Sequence, residues 1–169
     1  MDEHRTATET EPSVGSPSLI RTLIVEGDDA LRDKMAHVLN SGVFKPIPVA
    51  TIDAARAAFA EGLFDVIVTD LHVGKEHGRD LIGWIREQDN NVGIVVATAY
   101  RQDLPMHEAF AELDIDDVIS KPFEADDLET RVLRAVTHRR QEVGRRANLR
   151  KILDSVDRLN AALDTSKTR

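Results

Sequence analysis

Short apolar runs alternating with amphipathic stretches predict an α/β fold, a doubly wound parallel sheet with helices on both faces. Two observations carry this expectation. The runs Leu23-Ile24-Val25, Val66-Ile67-Val68, Ile94-Val95-Val96 and Val118-Ile119 are rich in β-branched residues and continuous rather than alternating, which suits strands covered on both sides. Between the runs lie segments whose apolar residues recur at helical spacing. A fifth run, Ile47-Pro48-Val49, follows Pro46; two prolines that cannot donate backbone hydrogen bonds assign it to a sheet edge.

The helical segments follow in order. Leu31, Met35, Val38 and Leu39 share a face in the first, which Ser41-Gly42 closes. Thr51 is suited to cap the Ala-rich second, which stops at Gly62. Leu81, Ile82 and Ile85 mark the third, and Pro105 fits the first turn of a fourth. Leu128, Val132, Leu133 and Val136 form the apolar face of a fifth. Trp84, on the third, reads as a packing or surface residue rather than a base-stacking platform.

Composition narrows the function. The 169 residues suffice for one ordinary domain with tails, and a net charge of −8 argues against a uniformly basic nucleic-acid binder. There is no cysteine, which excludes disulfide scaffolds, thiol catalysis and Cys-based metal sites. The longest clean apolar stretch, Gly93 to Ala99, is too short to cross a bilayer, and the N-terminus lacks the apolar centre of a secretory signal. A cytoplasmic location is expected. Residues 1–18, rich in Thr, Ser, Pro and Glu, read as a disordered leader.

In a doubly wound sheet, sites form beyond the carboxyl ends of the strands. Those ends are chemically loaded here. The first runs into Glu26-Gly27-Asp28-Asp29, the third into Asp70, the fourth into Thr98 and the fifth into Lys121-Pro122. Carboxylates, a hydroxyl and an ammonium gathered in one place suit phosphoryl transfer to a carboxylate, with an oxygen-ligated Mg²⁺ offsetting charge.

At these motifs the sequence resembles the receiver domains of two-component response regulators. TLIVEGDDALR is similar to the acidic loop after the first strand, and FDVIVTDLHVGKEHGRDLI to the phosphoacceptor strand and its following loop. IVVATA is similar to the fourth strand with its switch hydroxyl, and DDVISKPF to the Lys-Pro motif. The resemblance implies a five-stranded flavodoxin-like sheet of order 2-1-3-4-5 over residues 19–137. It makes Asp70 the phosphoacceptor, and Thr98 and Lys121 the phosphoryl-binding switch residues. Pro122 then follows a cis peptide. Metal binding falls to Glu26, Asp70 and the backbone carbonyl of His72, with Asp28 as a further candidate. The implied partners are a histidine kinase or phosphotransfer protein and a downstream protein target. Any catalysis would be self-directed.

Three departures bear on this expectation. Gly27 stands where the family places its second metal-site acid, which predicts weakened Mg²⁺ binding. Val118 takes the place of a switch aromatic, and Gly74 that of a loop proline. A degenerate pseudo-receiver, working as an interaction module without phosphorylation, is therefore the alternative. A phosphatase-like hydrolase using Asp70 would need a second acid where His72 stands. The set His72, Glu76 and His77 reads as a solvated loop rather than a transition-metal site.

Residues 138–169 carry nine Lys/Arg and four Asp/Glu, a basic tail on an acidic body. Leu149, Ile152, Val156, Leu159 and Leu163 follow the 3-4-3-4 spacing of a short coiled-coil seam, with Gly144 as a hinge. The stripe predicts either a homodimer or a fold-back onto the same chain. The stretch Arg139 to Lys151 reads as a solvated helix face, since no reading helix follows. With 32 residues after Thr137, an appended output domain is not expected.

Overall fold

Among the described residues, seven strands and four helices follow one another in chain order: β1 (Ile20–Val25), α1 (Asp29–Val38), β2 (Phe44–Val49), α2 (Ile52–Glu61), β3 (Val66–Thr69), β4 (His72–Val73), β5 (Glu76–His77), α3 (Gly78–Gln88), β6 (Gly93–Thr98), β7 (Asp117–Ser120) and α4 (Ala125–Ser166). The structure is a computed structural model that describes residues 19–40, 42–99 and 112–166. The leader, Ser41 and the segment around Pro105, where a fourth helix is expected, lie outside the described residues.

Five strands form one parallel sheet in the order β2-β1-β3-β6-β7, the expected doubly wound topology. Strand β2 lies at the edge, and its prolines explain how. Pro46 and Pro48 are two residues apart, so both nitrogens face the open side, while Val49 turns to β1 and accepts from Glu26 N at 3.1 Å.

Alternation along each central strand sends residues to both faces. Leu23, Val25, Ile67, Ile94 and Val96 pack with Ile52, Ala55, Leu81, Ile82 and Ile85 of α2 and α3. Ile24, Val66, Val68, Val95 and Ile119 pack with Met35 of α1 and Leu128, Val132 and Val136 of α4. Thr51 caps α2 by accepting from Ala54 N at 3.1 Å, and Gly62 ends it. Trp84 packs edge-on against Phe59, with ring centroids 5.7 Å apart.

The last helix departs from expectation in three ways. Leu133 points outward at 41% exposure, and Ala135 completes the buried face with Val136. Arg139, expected on a solvated face, is buried, so the packed unit continues past Thr137. Gly144 is no hinge: α4 runs through it unbroken for 42 residues, about 63 Å. A single glycine in a helix costs only about 1 kcal/mol against alanine, too little to break a helix already nucleated by its docked first half. Among the described residues nothing covers the apolar stripe. Leu149, Ile152, Val156 and Leu159 stay exposed.

What fixes α4 to the sheet is an ionic clasp at the edge opposite the carboxyl ends. Arg139 donates from Nε to both Asp116 oxygens at 3.0 and 3.1 Å and from Nη2 to Asp116 Oδ2 at 2.9 Å. It also reaches Asp114 Oδ2 at 2.9 Å and the Asp114 carbonyl at 2.7 Å. Arg86 of α3 bonds that same carbonyl twice, at 3.0 and 2.7 Å. Asp114 holds a left-handed φ of 48°, a conformation Asp tolerates, and this aims its carbonyl at both guanidinium groups. Burial, followed by the neighbouring Arg139 charge, pulls Arg86 down to about 10, so it remains charged at neutral pH.

The Asp116 side chain is wholly buried; Ile94 N and His138 Nδ1 also reach it at 2.8 Å, but Arg139 makes three of its contacts, so removing that arginine leaves a buried charge poorly compensated. Arg139→Leu is expected to lower unfolding free energy by about 3–5 kcal/mol in urea titration, whereas Arg145→Ala on the exposed tail leaves the midpoint unmoved. Acid should weaken the clasp. Burial raises the Asp114 carboxyl, but hydrogen bonding and charge from Arg139, with Arg86, outweigh it and hold it below 3.8. Its contribution is thus complete above the unfolded-state value and lost as pH falls through the lower, folded one. Urea midpoints measured from neutral pH downward should decline at the acid end, less steeply in Asp114→Asn.

Candidate functional site

The strand ends deliver four groups to one edge. Glu26 follows β1, Asp70 follows β3, Thr98 closes β6 and Lys121 follows β7. Residues nearly a hundred positions apart meet there. Lys121 Nζ donates to Asp70 Oδ2 at 2.6 Å and to Glu26 Oε2. Two carboxylates this close would repel, and the shared ammonium offsets that repulsion in a site where all three side chains are largely screened from water.

Backbone groups hold the rest of the arrangement. Glu26 Oε1 accepts from Asp28 N at 3.0 Å, and Asp70 Oδ1 from His72 N at 3.2 Å. Thr98 is buried, and its carbonyl accepts from Lys121 N at 2.9 Å, which ties the ends of β6 and β7 together. The Lys121–Pro122 peptide is cis. Val118, in the place of a switch aromatic, is buried in the core.

Sequence reasoning gave no role to Gly78, the first residue of α3. A Cβ there would sit 1.9 Å from the Asp70 carbonyl oxygen, an impossible contact. Gly78 N also donates to the Leu71 carbonyl at 2.7 Å. The glycine therefore lets α3 close against the backbone of Asp70 and fixes where its carboxylate points. A glycine eight residues after a strand-end acid was the available signal, but nothing in it specified a contact.

The loop expected after Asp70 is ordered as a small antiparallel hairpin. His72 of β4 pairs with His77 of β5, and their rings meet edge to face with centroids 5.7 Å apart. Gly74 turns the hairpin at φ 64° and lays its backbone against the acidic loop. A Cβ on Gly27 would come within 3.3 Å of Gly74 N. The space of the missing acid is thus partly taken up by the hairpin.

Asp28, a candidate metal acid by sequence, is the N-cap of α1 instead: its Oδ1 accepts from Leu31 N at 2.8 Å. Among the described residues no group of three or more His, Cys, Asp or Glu could hold a metal ion. The remaining oxygen donors, the Glu26 and Asp70 carboxylates with the His72 carbonyl, suit a hard cation that keeps several waters. Lys121 occupies one oxygen of each acid, so such an ion would compete with it.

Residues 22–133 match the sequence profile of the response regulator receiver domain. The chain is a response regulator receiver. Its receiver is 31% identical over 117 residues to the sensory transduction protein RegX3 of Mycobacterium tuberculosis, an alignment covering 69% of this chain and 50% of that one. The chain spans about half the length, or less, of the curated relatives it matches. Among solved structures, chemotaxis regulator CheY4 of Vibrio cholerae superposes with a TM-score of 0.64 at 21% identity, covering 70% of this chain and 99% of the other. TrrA of Thermotoga maritima, solved with Mg²⁺ and BeF, gives 0.62 at 21% identity over 69% and 99%.

Receivers are signalling modules rather than turnover enzymes. No helix among the described residues of this receiver is long and apolar enough to cross a membrane.

Gly78→Ala should cost about 1–3 kcal/mol of unfolding free energy, the usual penalty of overpacking, because the contact is with backbone that cannot rotate away. Urea titration beside Gly83→Ala, where a Cβ meets nothing within 4 Å, separates this clash from helix propensity.

Proposed function

We propose that Asp70 accepts a phosphoryl group from a histidine kinase or histidine phosphotransfer protein, and that the phosphorylated receiver signals through contacts with a downstream protein target. The supporting observation is the Lys121 ammonium held on Asp70 Oδ2, with Glu26 on its other side. A cation so placed steadies the attacking carboxylate and then the charge that arrives on the phosphoryl oxygens.

The chemistry balances simply. A carboxylate oxygen of Asp70 attacks the phosphorus of the partner's phosphohistidine. The P–O bond forms as the P–N bond breaks, and the departing electron pair returns to the imidazole. The Lys121 ammonium, the Thr98 hydroxyl and the His72 N–H bind the phosphoryl oxygens. Bound Mg²⁺ would be held by Glu26, Asp70 and the His72 carbonyl, and supplies further charge neutralisation on the transferring group. Attack of water on phosphorus later releases phosphate and restores the carboxylate. The compartment this reading implies is the cytoplasm.

Adding a phosphoryl group puts new negative charge beside Glu26. Lys121 cannot serve Glu26 and the phosphoryl oxygens equally, so the link between Glu26 and Asp70 loosens. Since Lys121 N bonds the Thr98 carbonyl, the ends of β6 and β7 feel that change first. This is the bistable element through which the charge would be read.

Gly27 favours a second reading, a pseudo-receiver that binds partners without phosphorylation, because the hairpin crowds the place of the missing acid. Mass measurement after incubation with a small phosphodonor and Mg²⁺ decides between them. One phosphoryl adduct is expected on the wild type and none on Asp70→Asn; no adduct on either overturns the phosphoacceptor reading. Gly27→Asp should tighten Mg²⁺ by about tenfold, or ~1.4 kcal/mol, with Gly74 yielding a few tenths of an ångström. Unchanged Mg²⁺ affinity would mean that another ligand already serves in place of the missing acid.

A further inference from the structure

The distal half of α4 has no cover among the described residues. Leu149, Ile152, Leu153, Val156 and Leu159 are between 45% and 64% exposed. A helix in water gains little from propensity alone and takes most of its stability from burying one face. Here no described residue buries that face, and the helix is anchored to the domain at its root by Arg139 and by the Arg140–Asp65 pair at 3.0 Å.

The distribution of charge on this segment is not that of a solvated helix. Set Leu149, Val156 and Leu163 at heptad position a, and Ile152 and Leu159 at d. Every charged residue between 148 and 163 then falls at b, c or f: Arg150, Lys151, Asp154, Asp157 and Arg158. Positions e and g hold only Leu153 and Asn160, and Asn148, Ser155 and Ala162. One side is entirely uncharged and the other carries all the charge.

We propose that this face is a homodimer seam, occupied by the same helix of a second copy in a parallel, in-register coiled coil. An uncharged face is complementary to itself, whereas a partner of opposite charge would find nothing on it to pair with. The five exposed side chains offer up to about 500 Å² per chain and about 1,000 Å² per pair, at the lower bound for a specific interface. The in-register parallel arrangement matches all five a/d layers, apolar against apolar. Antiparallel pairing completes four and sets Leu163 against Arg145 or Leu149 against Ser166. In the parallel pair no like charges meet across e and g.

Two heptads are marginal for free peptides. Here α4 is already helical where it docks on the sheet, so pairing has no nucleation cost. The dimer does not depend on phosphorylation of Asp70, and its failure would leave that reading intact.

The chain's lack of cysteine makes the test direct. Sedimentation equilibrium of the full chain, from about 1 to about 200 µM, should show mass rising from 18.8 kDa toward twice that value. Ile152→Asp with Leu159→Asp should remain monomeric at every concentration, with unchanged urea unfolding of the receiver, while Lys151→Glu on the outer face still dimerises. Under mild oxidation, Leu149→Cys and Val156→Cys should each form a disulfide-linked dimer, and Arg150→Cys should not. A wild-type monomer throughout overturns the proposal, whether the face is then covered by residues 1–18, a lipid surface or another protein. A dimer that survives the double substitution, or that links through Arg150→Cys in preference to Val156→Cys, overturns it equally.

Discussion

Two carboxylates on neighbouring strands, Glu26 and Asp70, end within reach of one ammonium, and the functional edge is arranged around that triplet. Like charges this close are tolerable only with a cation between them. The protein supplies that cation from β7, two strands away from β3 in the sheet, so the acids and the amine can meet only if every strand between holds its register. Conversely, the sheet order is what makes three sequence-distant residues into one site. Chemistry and topology here constrain each other, and neither could change alone.

The same dependence explains the glycines around Asp70. Asp70 holds its carboxylate against Lys121 while Gly78 allows α3 to close on its backbone carbonyl. Gly27, lacking a side chain, leaves room for the Gly74 turn. Lys121, paired with both Glu26 and Asp70, offsets their charge.

How much of this was readable beforehand depended on the kind of interaction. Strands covered on both sides must be apolar throughout, so Leu23–Val25, Val66–Val68 and Ile94–Val96 announced a central parallel sheet. Pro46 and Pro48 announced its edge. The convergence of Glu26, Asp70, Thr98 and Lys121 followed from strand ends alone. Arg139 was misread because an arginine in a basic run is usually solvated; its burial depends on Asp114 and Asp116, acids of a turn whose partners no local pattern specifies. The His72–His77 hairpin escaped for a related reason: two-residue strands carry too short a period to see. Gly144 misled because a glycine signals a helix end only where tertiary packing does not already hold the helix on one side.

Helix α4 joins the two ends of the molecule. It begins four residues after Lys121, beside the carboxylate edge, crosses the sheet with Leu128, Val132 and Val136 buried, and is clasped by Asp116 at the far edge. Beyond the clasp it continues as an unbroken helix carrying the exposed stripe. A rod rooted by several charge-assisted hydrogen bonds cannot swivel at its base without breaking them. Any change at the Lys121 end that tilts the buried part of α4 must therefore also tilt the projecting part, and the displacement grows with distance along it. The clasp is in this sense more than a stabilising contact. It fixes the root from which the distal stripe projects to the turn that leads into β7.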